Sequence, residues 1–328
     1  MSAAPRAVFF GSGAFAVPVL AAAAASPAIR LVGVVTAPAR PTGRHREVSP
    51  TPVGRHADSL GLSILAPASL RGGSALADLA HLRPELLLVA DYGRLLPPVV
   101  LDVGTRGALN VQPSLLPRWR GASPIAASIL AGDAETGVTV ILMDAGLDTG
   151  PIVASRQVAL EGTEVAPALE ARLAAVGAEL LTQTLGRWLA GEIVPQPQRA
   201  AGATVSRTLR REDGRLAPSQ PAVQLERQVR AFQPWPGSFL EIDGSRLTVW
   251  RAVATAIAVG HGAADAAEPG RLIAADEGLA LVTTAGNLVL LEVQPAGGRR
   301  MSGAELRRGR PGLVGGRVAV VDRAPTVA

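Results

Sequence analysis

Asn110, Gln112 and Asp148 are the residues of this chain whose types and spacing could hold a developing negative charge and move a proton. An apolar run, Gly107-Ala108-Leu109-Asn110-Val111, has the composition of a buried strand and delivers Asn110 and Gln112 into a proline-punctuated loop. A second run, Val138 to Met143, leads through a turn containing Gly146 and Gly150 to Asp148. Open α/β sheets keep their ligands beyond the carboxyl ends of parallel strands, so both segments are expected at such ends, facing one crevice. A fixed amide N–H stabilises an oxyanion, and a carboxylate orients water or accepts a proton. Each residue also has an ordinary alternative, because Asn and Asp routinely bond to nearby backbone: Asn110 can cap the loop, and Asp148 the turn at Thr149-Gly150.

Holding these residues takes a sheet. Up to about residue 190, short apolar runs alternate with helix-length segments, the signature of βαβ units. Strands are expected at Val8–Phe10, Leu31–Thr36, Ser63–Leu65, Leu86–Ala90, Ala108–Val111 and Val138–Met143. Helices are expected at Val17–Ala25, Pro52–Leu60, Ala75–Leu82, Pro124–Ala131 and Ala166–Ala190, the last closed by Gly191. Residues 191–205 are Pro-, Gln- and Ala-rich without helical period and read as an exposed linker. From 206 to 314 short strands recur between glycine turns, with helical periodicity only around Ala222–Phe232, which suggests a small antiparallel barrel or sandwich. Residues 315–328 read as a loosely held tail.

The chain has 328 residues, of which 48% are hydrophobic and 18% charged, enough for a sizeable core in one large or two ordinary domains. Every basic side chain is arginine, and the sequence pI is near 11.0 although the net charge is only +5. Residues 1–190 carry 15 Arg against 14 acids, and residues 191–328 carry 17 against 13, so the second half is the more basic. That surplus suits a phosphate-bearing partner. Zero cysteine excludes disulfides, thiolate zinc sites and a thiol nucleophile. Arg6 followed by an apolar stretch imitates a secretion signal, but Gly11, Ser12 and Gly13 break the helix it would need, and no run reaches the roughly 18 apolar residues of a membrane span.

The motif Asn110-Val-Gln-Pro-Ser114-Leu115-Leu116-Pro117, answered by Leu147-Asp148-Thr149-Gly150, resembles the 10-formyltetrahydrofolate-dependent formyltransferase family, most closely those members that formylate methionyl-tRNA. The family places a histidine where this chain has Gln112. The likeness continues through REDGRL at 211–216, RQVRAFQPWPGSF at 227–239 and RRMSGAELRRG at 299–309. It implies a Rossmann-like formyltransferase domain with a mainly parallel sheet at 1–190, joined by a linker to an OB-like β-barrel that binds tRNA. It implies Asn110, Gln112 and Asp148 as catalytic, with no metal. Ser114, Leu115, Leu116, Pro117, Tyr92, Gly93, Leu95 and Asp144 would surround the folate co-substrate, and Arg40, Arg44, Arg46, Arg207 and Arg210 would contact initiator methionyl-tRNA. A cytoplasmic monomer serving translation initiation follows from the same resemblance.

Two other readings remain at this stage. Gln112 offers an N–H but cannot carry a proton as an imidazole does, which fits a catalytically impaired paralogue that still binds folate and tRNA. Gly11-Ser12-Gly13-Ala14-Phe15-Ala16 satisfies G-x-G-x-x-A after a strand, and Arg40 could take a 2′-phosphate, which fits an NADP-binding oxidoreductase. The acidic residue of an NAD site is missing after Val34-Val35, and Phe15, Ala16 and Pro18 also fit the formyltransferase opening.

Overall fold

A computed structural model describes residues 3–42, 47–255 and 268–319. The chain forms two compact units that do not simply follow one another: the first comprises Met1–Pro124, Glu135–Ala159 and Leu169–Ser206, the second Ile125–Ala134, Leu160–Ala168 and Arg207–Ala328.

The elements of the first half are β1 (Arg6–Gly11), α1 (Ala16–Ala25), β2 (Arg30–Val35), β3 (Arg40–Thr42), β4 (Glu47–Ser49), α2 (Pro52–Ser59), β5 (Ile64–Leu65), α3 (Gly73–His81), β6 (Leu86–Ala90), α4 (Pro98–Leu101), β7 (Ala108–Gln112), β8 (Arg120–Gly121), α5 (Pro124–Ala131), β9 (Glu135–Leu142), β10 (Ile152–Ala159) and α6 (Ala166–Leu189), followed by β11 (Val205–Ser206). Seven strands make one sheet in the order β10-β9-β7-β6-β1-β2-β5. The pairs from β7 to β5 are parallel. Continuous apolar runs explain them: every residue of β6 and β7 is buried, as a strand covered on both faces requires. Val8, Phe10, Leu87, Val89 and Tyr92 meet Leu79 and Val100 in one core cluster, so truncating Leu87 to Ala would cost about 2–5 kcal/mol.

The sheet departs from expectation at one edge. β9 runs antiparallel to β7, with Leu109 opposite Leu142 and Gln112 opposite Thr139, and β10 runs antiparallel to β9. Asp148 therefore does not leave the carboxyl end of a parallel strand as predicted. It lies in a turn that folds back to reach Gln112. The β3–β4 hairpin was also not foreseen, since Arg40-Pro41-Thr42 has no apolar alternation.

The segment expected as an exposed linker is laid onto the first unit. Ile152 and Gln196 exchange backbone bonds, and β11 pairs in parallel with β8, Val205 opposite Arg120.

The second unit contains α7 (Ala222–Ala231), β12 (Ser238–Ile242), β13 (Ser245–Thr255), β14 (Leu272–Ala275), β15 (Gly278–Val282), β16 (Asn287–Pro295), β17 (Met301–Ser302) and α8 (Gly303–Gly309). Its antiparallel sheet has the order β12-β13-β16-β15-β14, with β17 on β16. Val318 bridges to Ile242 of β12, and Arg317 to Arg271 beside β14, so the segment expected to be a loose tail joins the two ends of the sheet. A small barrel results, with Leu225, Val249, Leu281, Leu290 and Leu306 among its core residues. On the outside of α7, Gln224 donates to the Leu130 carbonyl at 3.2 Å and Arg230 to the Glu164 carbonyl at 2.8 Å, which is why 125–134 and 160–168 belong to this unit. Ser302 and Glu305 form a capping box that starts α8.

Candidate active site

Asn110 and Gln112, two residues apart on β7, point to the same face of the sheet, and both are buried. The Asn110 Nδ2 donates to Gln112 Oε1 at 3.4 Å, and Gln112 Nε2 donates to Asp148 Oδ2 at 3.0 Å and to the Gly121 carbonyl at 3.2 Å. Two acceptors around one end of the amide settle which end is NH2. Both amide hydrogens of Gln112 are thereby committed, so Gln112 bridges Asn110 and Asp148 and has none left for an oxyanion. Asn110 keeps its second hydrogen.

Asp148 also accepts the Gly121 N–H at 2.7 Å, on the same Oδ2. Its backbone is left-handed, with φ 52°. Burial pushes the Asp148 carboxyl above the ordinary carboxylate range, while the Gly121 N–H and then the Arg120 guanidinium pull it back. A carboxylate in that state is a better proton acceptor near neutrality than a solvated one.

The residues around this centre divide in two. Ser114 and Leu116 are buried and knitted to β9: Thr139 Oγ1 donates to the Ser114 carbonyl at 2.7 Å and accepts the Leu116 N–H at 3.2 Å. Leu115 lies over Gly137, where a β-carbon would come within 2.6 Å of it. Pro117, joined to Leu116 by a cis peptide, is half-buried. Tyr92 is a core residue, its ring edge-on to Phe10 at 5.5 Å and its hydroxyl beside the Arg94 guanidinium. Burial raises the pKa of that hydroxyl. By contrast Gly93 and Leu95 are exposed, Leu95 by 66%. Asp144 is exposed too, its Oδ1 accepting from the Gly146 N–H at 3.0 Å and Thr149 Oγ1 at 2.7 Å, so it braces the turn that carries Asp148.

Among the expected RNA-contacting arginines, Arg40 is exposed on β3, and Arg44 and Arg46 lie outside the described residues. In the second unit Arg210 is exposed, but Arg207 forms a two-pronged ion pair with Asp213, both contacts 2.7 Å. Its guanidinium supports the barrel's entry turn, so it is less available to a phosphate than the sequence suggests.

Two residues that sequence reading passed over, Gln198 and Arg120, adjoin the candidate site. Gln198, inside the expected linker, donates from Nε2 to the Asp148 and Gly150 carbonyls, both at 2.7 Å, and its Oε1 accepts from Arg120 Nε at 3.0 Å and Nη2 at 2.7 Å. No local signal marks Gln198; it is one glutamine of a low-complexity stretch, and its partners are about 50 and 78 residues away.

The glycine turn after β1 is closed to a pyrophosphate. The Ser12 and Gly13 N–H groups donate to the Asp91 carbonyl at 2.9 and 3.2 Å, and Glu170 accepts the Phe15 N–H. The Asp91 and Glu170 carboxyls both face this turn, where a dinucleotide would need free donors. The oxidoreductase reading finds no support here.

A seven-stranded, largely parallel sheet whose β7 carries Asn110, bonded through Gln112 to Asp148, together with an antiparallel unit, is the architecture of a formyl-group transferase. Residues 5–185 match the formyl transferase family and residues 208–311 match the formyl transferase C-terminal domain family. The chain belongs to the formyl transferase family. It is 45% identical over 307 residues to a methionyl-tRNA formyltransferase of Roseiflexus castenholzii, covering 93% of this chain and 96% of that protein. It is 42% identical over 306 residues to a methionyl-tRNA formyltransferase of Myxococcus xanthus, covering 93% and 95%. In fold alone it is similar to an N-formyltransferase from Helicobacter canadensis solved with folinic acid and dTDP-3-aminofucose, with TM-score 0.63 and 14% identity over 87% of this chain and 98% of that one. Among the described residues no helix is long and apolar enough to cross a membrane.

Proposed function

We propose that this protein transfers the formyl group of 10-formyltetrahydrofolate to the α-amino group of methionine on initiator tRNA, in the cytoplasm, as a monomer. The observation that carries the reading is the bonded chain Asn110–Gln112–Asp148, set in a protein whose likeness to relatives named methionyl-tRNA formyltransferase runs through both units.

The amino nitrogen attacks the formyl carbon, forming a C–N bond as the carbonyl electrons move onto oxygen. The free Nδ2 hydrogen of Asn110 donates to that oxyanion, a contribution worth about 10²–10³ in rate at comparable sites. Asp148 takes the proton from the ammonium, directly or through water. Collapse of the intermediate re-forms the carbonyl and expels N10 of the folate, which takes the proton that Asp148 accepted and so returns the carboxylate. Gln112 holds Asn110 and Asp148 at fixed separation and moves no proton itself. Gly93, Leu95 and the Asp144–Asp148 turn offer exposed surface for the pterin, while Ser114, Leu116 and Tyr92 shape the floor from within. Arg40, Arg44, Arg46 and Arg210 contribute phosphate contacts whose strength falls with salt.

A second reading is favoured by one observation: Gln112, which bridges Asn110 and Asp148, is an amide that neither gives up nor takes up a proton near neutrality. A paralogue that binds folate and tRNA but turns over slowly fits this. Transfer of labelled formyl to Met-charged initiator tRNA, beside the same assay with an amino-sugar nucleotide, tests the proposal. Labelled formylmethionyl-tRNA is the expected product. Transfer to the sugar with none to tRNA would overturn the substrate, and tight binding of both ligands without product would favour the second reading.

A further inference from the structure

Asp148 has left-handed backbone, which Asp tolerates better than most side chains, and its loop returns from an antiparallel strand, so its position is not set by the sheet. Asp144 braces the turn from within, and bonds from distant parts of the chain add to it. Gln198 supplies two attachments: its amide N–H groups bind the carbonyls of Asp148 and Gly150, two residues apart, both at 2.7 Å. Gln198 is itself gripped from behind by Arg120 through two hydrogen bonds to Oε1. Arg120 immediately precedes Gly121, whose N–H and carbonyl meet Asp148 and Gln112 respectively. Around the same point the Trp119 N–H donates to Thr204 Oγ1 at 2.9 Å, the Arg120 N–H to the Thr204 carbonyl at 2.9 Å, and β11 pairs with β8. The strap 196–206 thus ties the strand that presents Gly121 to the turn that presents Asp148.

We propose that Gln198 is a positioning residue for the formyl-transfer site, and that with Arg120 it clamps the Asp148 turn so that the carboxylate stays on the Gly121 N–H and the Gln112 amide. The inference rests on Asp148 being the proton acceptor proposed above. Both ends of the Gln198 amide are needed. An oxygen alone would keep Arg120 but release the turn, and misplacing a reacting group by about 1 Å can cost about 10²-fold in rate.

The informative variant is Gln198→Glu. A carboxylate keeps the Arg120 contact, now as an ion pair, yet cannot donate to the Asp148 and Gly150 carbonyls. Gln198→Ala, which removes both ends, is the control for loss of fold. In full-length protein we expect Gln198→Glu to keep the melting temperature within a few degrees and the KM for tRNA within about threefold, while kcat falls about 30- to 100-fold. Amide hydrogen exchange in residues 144–150 should quicken by an order of magnitude or more, with the rest of the first unit unchanged. A kcat within threefold of the unmodified chain, or unaltered exchange at 144–150, would overturn the clamp while leaving formyl transfer standing. Absence of turnover in the unmodified chain would instead break the functional reading, and the exchange measurement then decides the clamp alone: faster exchange upholds it, unaltered exchange removes it.

Discussion

Two turns in the first unit offer backbone and side-chain donors near the end of a central strand, and they are used in opposite ways. After β1, the glycine turn spends its N–H groups internally: Ser12 and Gly13 bind the Asp91 carbonyl, and Phe15 binds Glu170. After β7, the loop leaves an amide hydrogen of Asn110 uncommitted and holds a carboxylate within one hydrogen bond of the same chain of amides. The first turn has the better-known sequence pattern, and the second keeps a free donor beside a carboxylate. A motif indicates function only once its donors have been followed to their partners.

The contrast breaks most readily at Asp148. Asp148→Asn preserves shape and hydrogen-bond reach but removes the proton acceptor, so single-turnover formylation should fall about 10²–10⁴-fold; a loss below threefold would assign Asp148 to the turn and not to the reaction. Asn110→Ala should lower kcat about 10²–10³-fold with little change in KM, and an effect mainly on KM would move Asn110 from the oxyanion to ligand binding.

The β1 turn should respond in stability and not in chemistry. A β-carbon on Gly11 would meet the Phe9 ring at 2.6 Å and the Ala90 carbonyl at 2.9 Å, so Gly11→Ala should cost about 1–3 kcal/mol in a denaturant titration while kcat per folded molecule holds. Unaltered stability would mean that the turn is looser than described.

The smallest effect is expected at Asp91. Burial, with the Glu170 carboxylate as second cause, pushes its carboxyl up to about 7, well above the value of an unfolded chain. The stability linked to that group is therefore fully present below the unfolded value and lost as pH rises through about 7. Asp91→Asn should raise the melting temperature at pH 8 relative to pH 4. Because the residue keeps an exposed face to water, the difference should stay below about 1 kcal/mol. An equal change at both pH values would show that Asp91 is ionised throughout.

Much of the scaffold was legible because its cause is local. β6 and α5 fall at the predicted residues, since a five-residue apolar run between turns and an eight-residue Ala/Ile helix announce themselves. The residues of the candidate site stand out in the sequence through their types. Their arrangement does not: the antiparallel direction of β9 depends on pairing across the sheet, which a buried apolar run does not encode. Gln198 was hidden for a related reason. Its importance lies in bonds to residues far along the chain, and the Pro- and Gln-rich composition around it resembles any linker. Arg207 reads as a free cation in sequence and is a structural ion pair in three dimensions.

The most direct test of the central claim compares the unmodified chain with Gln112→His in single-turnover formylation of Met-charged initiator tRNA. If Gln112 is a bridge and Asn110 and Asp148 carry the reaction, the unmodified chain forms formylmethionyl-tRNA, and histidine quickens it by restoring a proton relay. Silence from both proteins, each folded and each binding tRNA, would contradict the account.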